Sequence, residues 1–208
     1  MRRRNPAPLS RAERAPDLLS GGGRPTFTVR PAERSDLPGV TALYNPYVER
    51  SPCTFDTRPF TVVEREPWWE QFSVRGRYRL FVAEQDGRLV GYAGTTRFRP
   101  RAAYDTTAET TVYCAPGRTG TGIGARLYAT LIDSLRREDL HLLVAGFTLP
   151  NPASEALHRR FGFRPVGVLH RCGRKFDRFW DVQWTERPMA SARPKAQSAS
   201  MVVKTGGH

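Results

Sequence analysis

A β-type run, Ala108-Glu109-Thr110-Thr111-Val112-Tyr113, passes through Pro116-Gly117-Arg118-Thr119-Gly120-Thr121-Gly122-Ile123-Gly124 into a segment whose apolar residues recur with helical spacing. No other feature restricts the chain as much. Glycines at 117, 120, 122 and 124 remove the Cβ atoms that would keep an anion off the main chain, and they permit positive φ where the loop turns. Ile123, Leu127, Leu131 and Leu135, with Tyr128 and Ile132 beside them, mark an amphipathic helix beginning at the last glycines. Its unpaired first amides and its dipole favour a negative charge there. The unit suits a phosphate-bearing ligand, although a glycine-rich loop also occurs as a plain turn.

Two common phosphate loops do not fit. A Walker loop places lysine and a hydroxyl residue after its second glycine, where this chain has Ile123 and Gly124. A dinucleotide fingerprint needs Gly-x-Gly-x-x-Gly inside a parallel βαβ unit, whereas the glycines here alternate as Gly120-x-Gly122-x-Gly124 after elements that read as a meander.

Residues 1–25 are rich in Arg, Pro, Ala and Gly, and residues 188–208 carry Pro188, Pro194 and Gly206-Gly207; both read as disordered tails around one domain at 26–187. Within the domain, Thr26 to Arg30 reads as a strand, and Ser35 or Asp36 caps a helix that turns Leu37, Val40, Leu43, Tyr44 and Tyr47 inward. Thr61 opens a second helix through Trp68, Trp69 and Phe72, distorted by Pro67. Tyr78–Glu84 and Leu89–Arg97 flank an Asp86-Gly87 hairpin signal. After the glycine loop and its helix come a buried strand at Leu142–Thr148 and a helix capped by Asn151, begun by Pro152 and stopped at Gly162. Two last strands lie at Val166–His170 and Phe179–Trp184. Meander, strand-loop-helix-strand-helix, then hairpin is α+β rather than doubly wound.

The net charge of +13 raises the question of nucleic acid. The segment 1–25, with six arginines against Glu13 and Asp17, contributes +4, and 188–208 contributes +3, leaving +6 for 26–187. That value suits steering of a polyanionic cofactor, and nucleic acid is not the expected partner. No apolar run approaches the ~18 residues of a membrane span, and no apolar stretch follows the basic start, so a secretory signal is not expected. Cys53, Cys114 and Cys172 are odd in number and widely spaced, without a zinc pattern. A cytoplasmic protein with free thiols and no metal is expected.

The order of short matches is specific. Asn45-Pro-Tyr47-Val-Glu49, Thr54-Phe55, Ala103-Tyr104-Asp105, Ala108-Glu109-Thr-Thr-Val-Tyr113, Thr121-Gly122-Ile-Gly124-Ala-Arg-Leu-Tyr128, Leu149-Pro-Asn151, Leu157-His158 and Phe161-Gly162-Phe163 follow one another between Thr26 and Arg187. On these residues the chain resembles the GNAT acetyltransferase superfamily, in particular its phosphinothricin acetyltransferase branch. The resemblance implies a mixed, strongly bent sheet of six to seven strands flanked by about four helices, splayed open for a pantetheine arm. It implies transfer of acetyl from acetyl-CoA to the amine of a small amino-acid-like acceptor such as phosphinothricin, methionine sulfone or methionine sulfoximine. Protein or peptide N-terminal acetylation, and a non-catalytic basic nucleic-acid-binding or regulatory module on the same fold, are the alternatives.

By the same resemblance Glu109 is the base and His158 the second catalytic group. The main chain of Thr111, Val112 and Tyr113 pairs with pantetheine. Arg118, Thr119, Gly120, Thr121, Gly122, Ile123 and Gly124 cradle the pyrophosphate, and Asn151 touches the cofactor. Phe55, Arg99, Arg101 and Tyr104 face the acceptor. The chain departs from the family where Thr119 and Gly120 replace the loop's usual glutamine and arginine, with Arg118 one position earlier. On the acceptor side Thr54-Phe55-Asp56 stands for Asn-Phe-Arg, and Thr106 for a tryptophan.

The residue chemistry is consistent with these roles. An amine attacking a thioester must lose its proton, so a carboxylate at Glu109 whose pKa is raised by burial is a suitable acceptor; a charged strand residue also commonly faces water or an arginine. Imidazole at His158 can pass a proton near neutral pH, and a lone helical histidine is commonly a satisfied core residue. Arginines at 99 and 101 can grip a carboxylate or phosphinate in bidentate fashion. Trp68-Trp69 and Phe179-Trp180 read as core or dimer packing, and a homodimer is expected.

Overall fold

The structure is a computed structural model that describes residues 27–189. The expected tails therefore fall outside the described residues, except Pro188, which ends the last strand, and Met189, which is buried.

β1 (Thr28–Pro31) leads through a single 3-10 turn into α1 (Leu37–Arg50). Arg30 fixes this entry by donating to both carboxylate oxygens of Asp36 at 2.7 and 2.8 Å and to Glu84 on the neighbouring strand. The guanidinium holds the Asp36 carboxyl below its usual range. The expected second helix is broken. Thr61 and Glu64 cap each other reciprocally, a 3-10 turn follows, and α2 (Glu66–Trp69) is a single turn. Pro67 lacks the amide a longer helix would need there.

β2 (Leu80–Gln85) and β3 (Arg88–Arg97) form the Asp86-Gly87 hairpin, with φ of +50° and +71° at its tip. β4 (Thr107–Cys114) precedes the glycine loop and α3 (Ile123–Ser134); β5 (Leu142–Thr148) and α4 (Pro152–Arg160) follow. β6 (Arg164–Lys175) and β7 (Arg178–Pro188) are about twice as long as their apolar runs suggest. Their turn is Phe176-Asp177, at φ +53° and +55°, and it contains no glycine to announce it.

Among the described residues seven strands lie in the order β1-β2-β3-β4-β5-β7-β6, and β4–β5 is their parallel pair. Alternation along β2 divides the core. Leu80 and Val82 meet Val40, Leu43, Tyr44 and Val48 of α1, whereas Phe81 and Ala83 meet Leu127, Leu131 and Leu135 on the α3 side. On the α1 side Arg65 is buried between aromatic faces, its guanidinium 3.8 Å from the Trp68 ring centre and 4.5 Å from that of Tyr44. No helix among the described residues is long and apolar enough to cross a membrane.

Leu131 is fully buried at the centre of the α3 stripe. Leu131→Ala is expected to cost about 3 kcal/mol, read as a lower denaturant midpoint with an unchanged slope.

Candidate active site

The parallel ladder between β4 and β5 has three rungs, Thr107–Leu142, Ala108–Leu143 and Glu109–Val144. Beyond them the strands part. β4 stays paired to β3 as far as Cys114, and β5 stays paired to β7 as far as Thr148. Main-chain groups of β4 from residue 110 onward therefore face a gap on their β5 side. At the vertex the Thr110 hydroxyl lies 3.2 Å from the Val144 carbonyl, closing the ladder with a side chain.

The gap opens into a cavity of about 530 Å³. Thr111, Val112 and Tyr113 form one wall. Arg118, Thr119, Gly120, Gly122 and Gly124 form its glycine-rich rim, and Asn151 and His158 belong to the α4 wall. Gly117, Gly120 and Gly122 have φ of +78°, +82° and +86°, a region that side chains disfavour. Gly122 is also the N-cap of α3 and has no side chain to satisfy the first-turn amides. Those donors and the helix dipole face the rim. Arg118 is exposed and, among the described residues, forms no ion pair. Thr121 turns its hydroxyl back to the Arg118 carbonyl, and the Ile123 side chain is in the core, so these two offer only main chain. Asn151 caps α4 by accepting from the Ser154 amide at 3.1 Å.

His158 is enclosed by aromatic rings. It stacks on Phe147 and meets Phe163 and Tyr128 edge-on. Nδ1 lies 2.7 Å from the Ser154 carbonyl, which can only accept, so that nitrogen carries the proton. Nε2 then accepts from the Tyr128 hydroxyl at 3.0 Å. Tyr128 in turn lies 2.5 Å from the Thr110 hydroxyl, whose proton is shared between Tyr128 and Val144. Burial pushes the imidazole pKa down against the opposing pull of Ser154, which keeps it neutral. Direct donation from Nε2 to a departing thiolate therefore conflicts with this hydrogen-bond order. The ring can exchange a proton through Tyr128 and Thr110.

Glu109 occupies the last rung and faces away from Thr110. It lies on the face of β4 from which Tyr113 packs against Tyr44 and Tyr47 of α1. Glu109 does not line the cavity described above. Burial raises its pKa, and the charge of Arg99 opposes that rise. Arg99 stacks on Phe98, whose ring also meets Tyr104 and Trp184. The structure thus gathers Arg99 and Tyr104 around Phe98, leaves Arg101 exposed, and packs Phe55 against Gly173 on β6.

Sequence reasoning missed several residues of the site. Cys53 and Cys114 line the same cavity, and the Cys53 sulfur accepts from the Asn151 side-chain amide at 3.7 Å. Burial raises the Cys114 thiol pKa, while the Gly124 amide opposes the shift. Ala153, Ala156 and Arg160 line it from α4 at spacings of three and four, a helical signal that was readable.

The Acetyltransferase (GNAT) family model matches residues 41–163. The chain is similar to a phosphinothricin N-acetyltransferase of Streptomyces coelicolor, at 51% identity over 80% of this chain and 99% of the relative. It is also similar to an L-methionine sulfoximine/L-methionine sulfone acetyltransferase of Pseudomonas paraeruginosa, at 32% identity over 76% and 92% of the two chains. A GNAT superfamily phosphinothricin acetyltransferase from Sinorhizobium meliloti, solved in complex with acetyl-CoA, superposes with a TM-score of 0.74 at 30% identity, over 79% of this chain and 89% of that one.

The pKa shift of His158 has a consequence for stability. Because its folded-state pKa lies below the reference 6.5, its contribution is complete above that pH and is lost as the pH falls from 6.5 toward the folded value. Unfolding free energy measured across this window is expected to decline in the wild type, and the decline should be smaller in His158→Gln. Glu109, whose pKa is raised above 4.5, acts with the opposite sign in its own window.

Proposed function

The chain belongs to the GNAT acetyltransferase family and is an acetyl-CoA-dependent N-acetyltransferase, and we propose that its acceptor is the amine of a small amino-acid-like molecule of the phosphinothricin or methionine sulfone and sulfoximine type. The parting of β4 from β5 beside a glycine-rich helix start is the observation that carries the cofactor half of this reading. The relatives named for such acceptors support the other half.

Bound acetyl-CoA supplies an activated acyl carbon. The unpaired edge of Thr111 to Tyr113 suits the amides of pantetheine, and the main chain of 119 to 124 suits the pyrophosphate. Arg118 provides the cation that the loop lacks at its usual position. Asn151 fixes the start of α4 and the Cys53 loop beside the cofactor.

Glu109 is the proposed base. Its raised pKa leaves it better able to hold the proton that an attacking ammonium must give up, and the charge of Arg99 opposes the rise. His158 serves as the end of the Thr110–Tyr128 relay, with Nε2 as the proton acceptor. Arg99, Arg101 and Tyr104, with Phe55, are the proposed acceptor contacts.

Three further assignments belong to this reading. The domain is taken as 26–187 with tails on either side. The free thiols suit a cytoplasmic location. A homodimer is supported by the outer hairpin, where Val166, Leu169 and Phe179 expose apolar surface; sedimentation at micromolar concentration tests it.

Purified protein is expected to release CoA from acetyl-CoA in the presence of methionine sulfone, methionine sulfoximine or phosphinothricin. Glu109→Gln should lower kcat about a hundredfold or more while calorimetric affinity for acetyl-CoA is retained. Turnover confined to peptide amines would overturn the acceptor assignment.

A further inference from the structure

The segment from Ser51 to Asp56 links the two halves of the site, and it is fastened at several points. Cys53 lines the cofactor cavity and accepts from Asn151 at its sulfur and from Tyr113 Oη at its carbonyl. Thr54 and Asp56 both engage the Tyr44 hydroxyl at 2.5 Å. Phe55 projects between these anchors and is 37% exposed.

Two residues at the far end of β6 complete the fastening. Lys175 is 5% exposed, and its ammonium donates to the carbonyls of Ser51 and Thr54 at 2.8 Å each and of Tyr47 at 3.4 Å. It thus serves both the C-terminal turn of α1 and the segment that follows. Burial lowers its pKa, and Asp56 and Cys53 oppose that shift. Two positions earlier, Gly173 meets the Phe55 ring. A Cβ at 173 would stand 2.1 and 2.2 Å from two ring carbons, well inside any tolerated contact. The ring rests on the bare main chain of β6, opposite Trp180 in the β6–β7 ladder.

We propose that Gly173 and Lys175 are positioning residues that set acceptor specificity: the β6 hairpin end fixes where the Phe55 ring stands and how far segment 51–56 reaches over the acceptor. They meet the cofactor wall formed by β4, the glycine loop and α4 only through Cys53, which Tyr113 and Asn151 hold from that side. The proposal rests on the acceptor role given to Phe55 above.

The test is a double-mutant cycle on full-length protein. Gly173→Ala is expected to lower kcat/KM for methionine sulfone about tenfold or more, since misplacing a contact group by an ångström has effects of that order. The KM for acetyl-CoA should stay within about twofold, because uniform cofactor binding is untouched. In a Phe55→Ala background the ring is gone, so Gly173→Ala should add no further loss. Equal losses in both backgrounds, or a parallel rise in acetyl-CoA KM, would overturn the proposal.

A second readout does not use activity. Alkylation of Cys53, located by peptide mass spectrometry, should speed up several-fold in Gly173→Ala and in Lys175→Met as the segment loosens. An unchanged rate in both folded variants also overturns it. Unaltered acceptor kinetics in Phe55→Ala alone would remove Phe55 from the acceptor site, and the Cys53 rate would still decide whether Gly173 and Lys175 hold the segment.

Discussion

The arrangement depends on a ladder that stops. Three parallel rungs join β4 to β5, and beyond Glu109 and Val144 each strand keeps its other neighbour while leaving this one. Unpaired strand edges inside a protein are costly unless a partner or water serves them. Here the vertex carbonyl of Val144 takes the Thr110 hydroxyl, and the rest of the β4 edge faces the cavity. The glycine loop begins where β4 ends, so the unpaired edge and the α3 start are adjacent by chain order alone.

The same strand sends two titratable side chains into different surroundings. Thr110 points toward α3 and reaches His158 through Tyr128; Glu109 points toward α1 and is answered by Arg99. Period-two alternation puts adjacent residues on opposite faces, and burial then moves the two groups in opposite directions, raising the acid and lowering the base. Each group is thereby kept closer to its neutral form.

What the sequence disclosed follows from the range of each signal. The loop and α3 were legible because their glycines and apolar stripe are local, and the Asp86-Gly87 hairpin likewise. Asn151 with Pro152 announced α4 to the residue. By contrast, Phe176-Asp177 turns without glycine, so the length of β6 and β7 was hidden. Pro67 was read as a distortion, and its effect was to leave a single α-turn. The engagement of both His158 nitrogens, the proximity of Cys53 to Asn151, and the seating of Phe55 on Gly173 join residues far apart in the chain. No pattern within a short window carries such pairs.

So short a parallel ladder has a mechanical consequence. The sheet consists of two slabs, β1 to β4 and β5 to β7, coupled directly by three rungs and spanned by α3 and its flanking loops. A molecule lodged in the gap with hydrogen bonds to both sides acts as a strut across that short join. Its affinity for the folded chain adds to the work needed to pull the slabs apart, so the protein should be stiffest when charged with its co-substrate and most compliant after release.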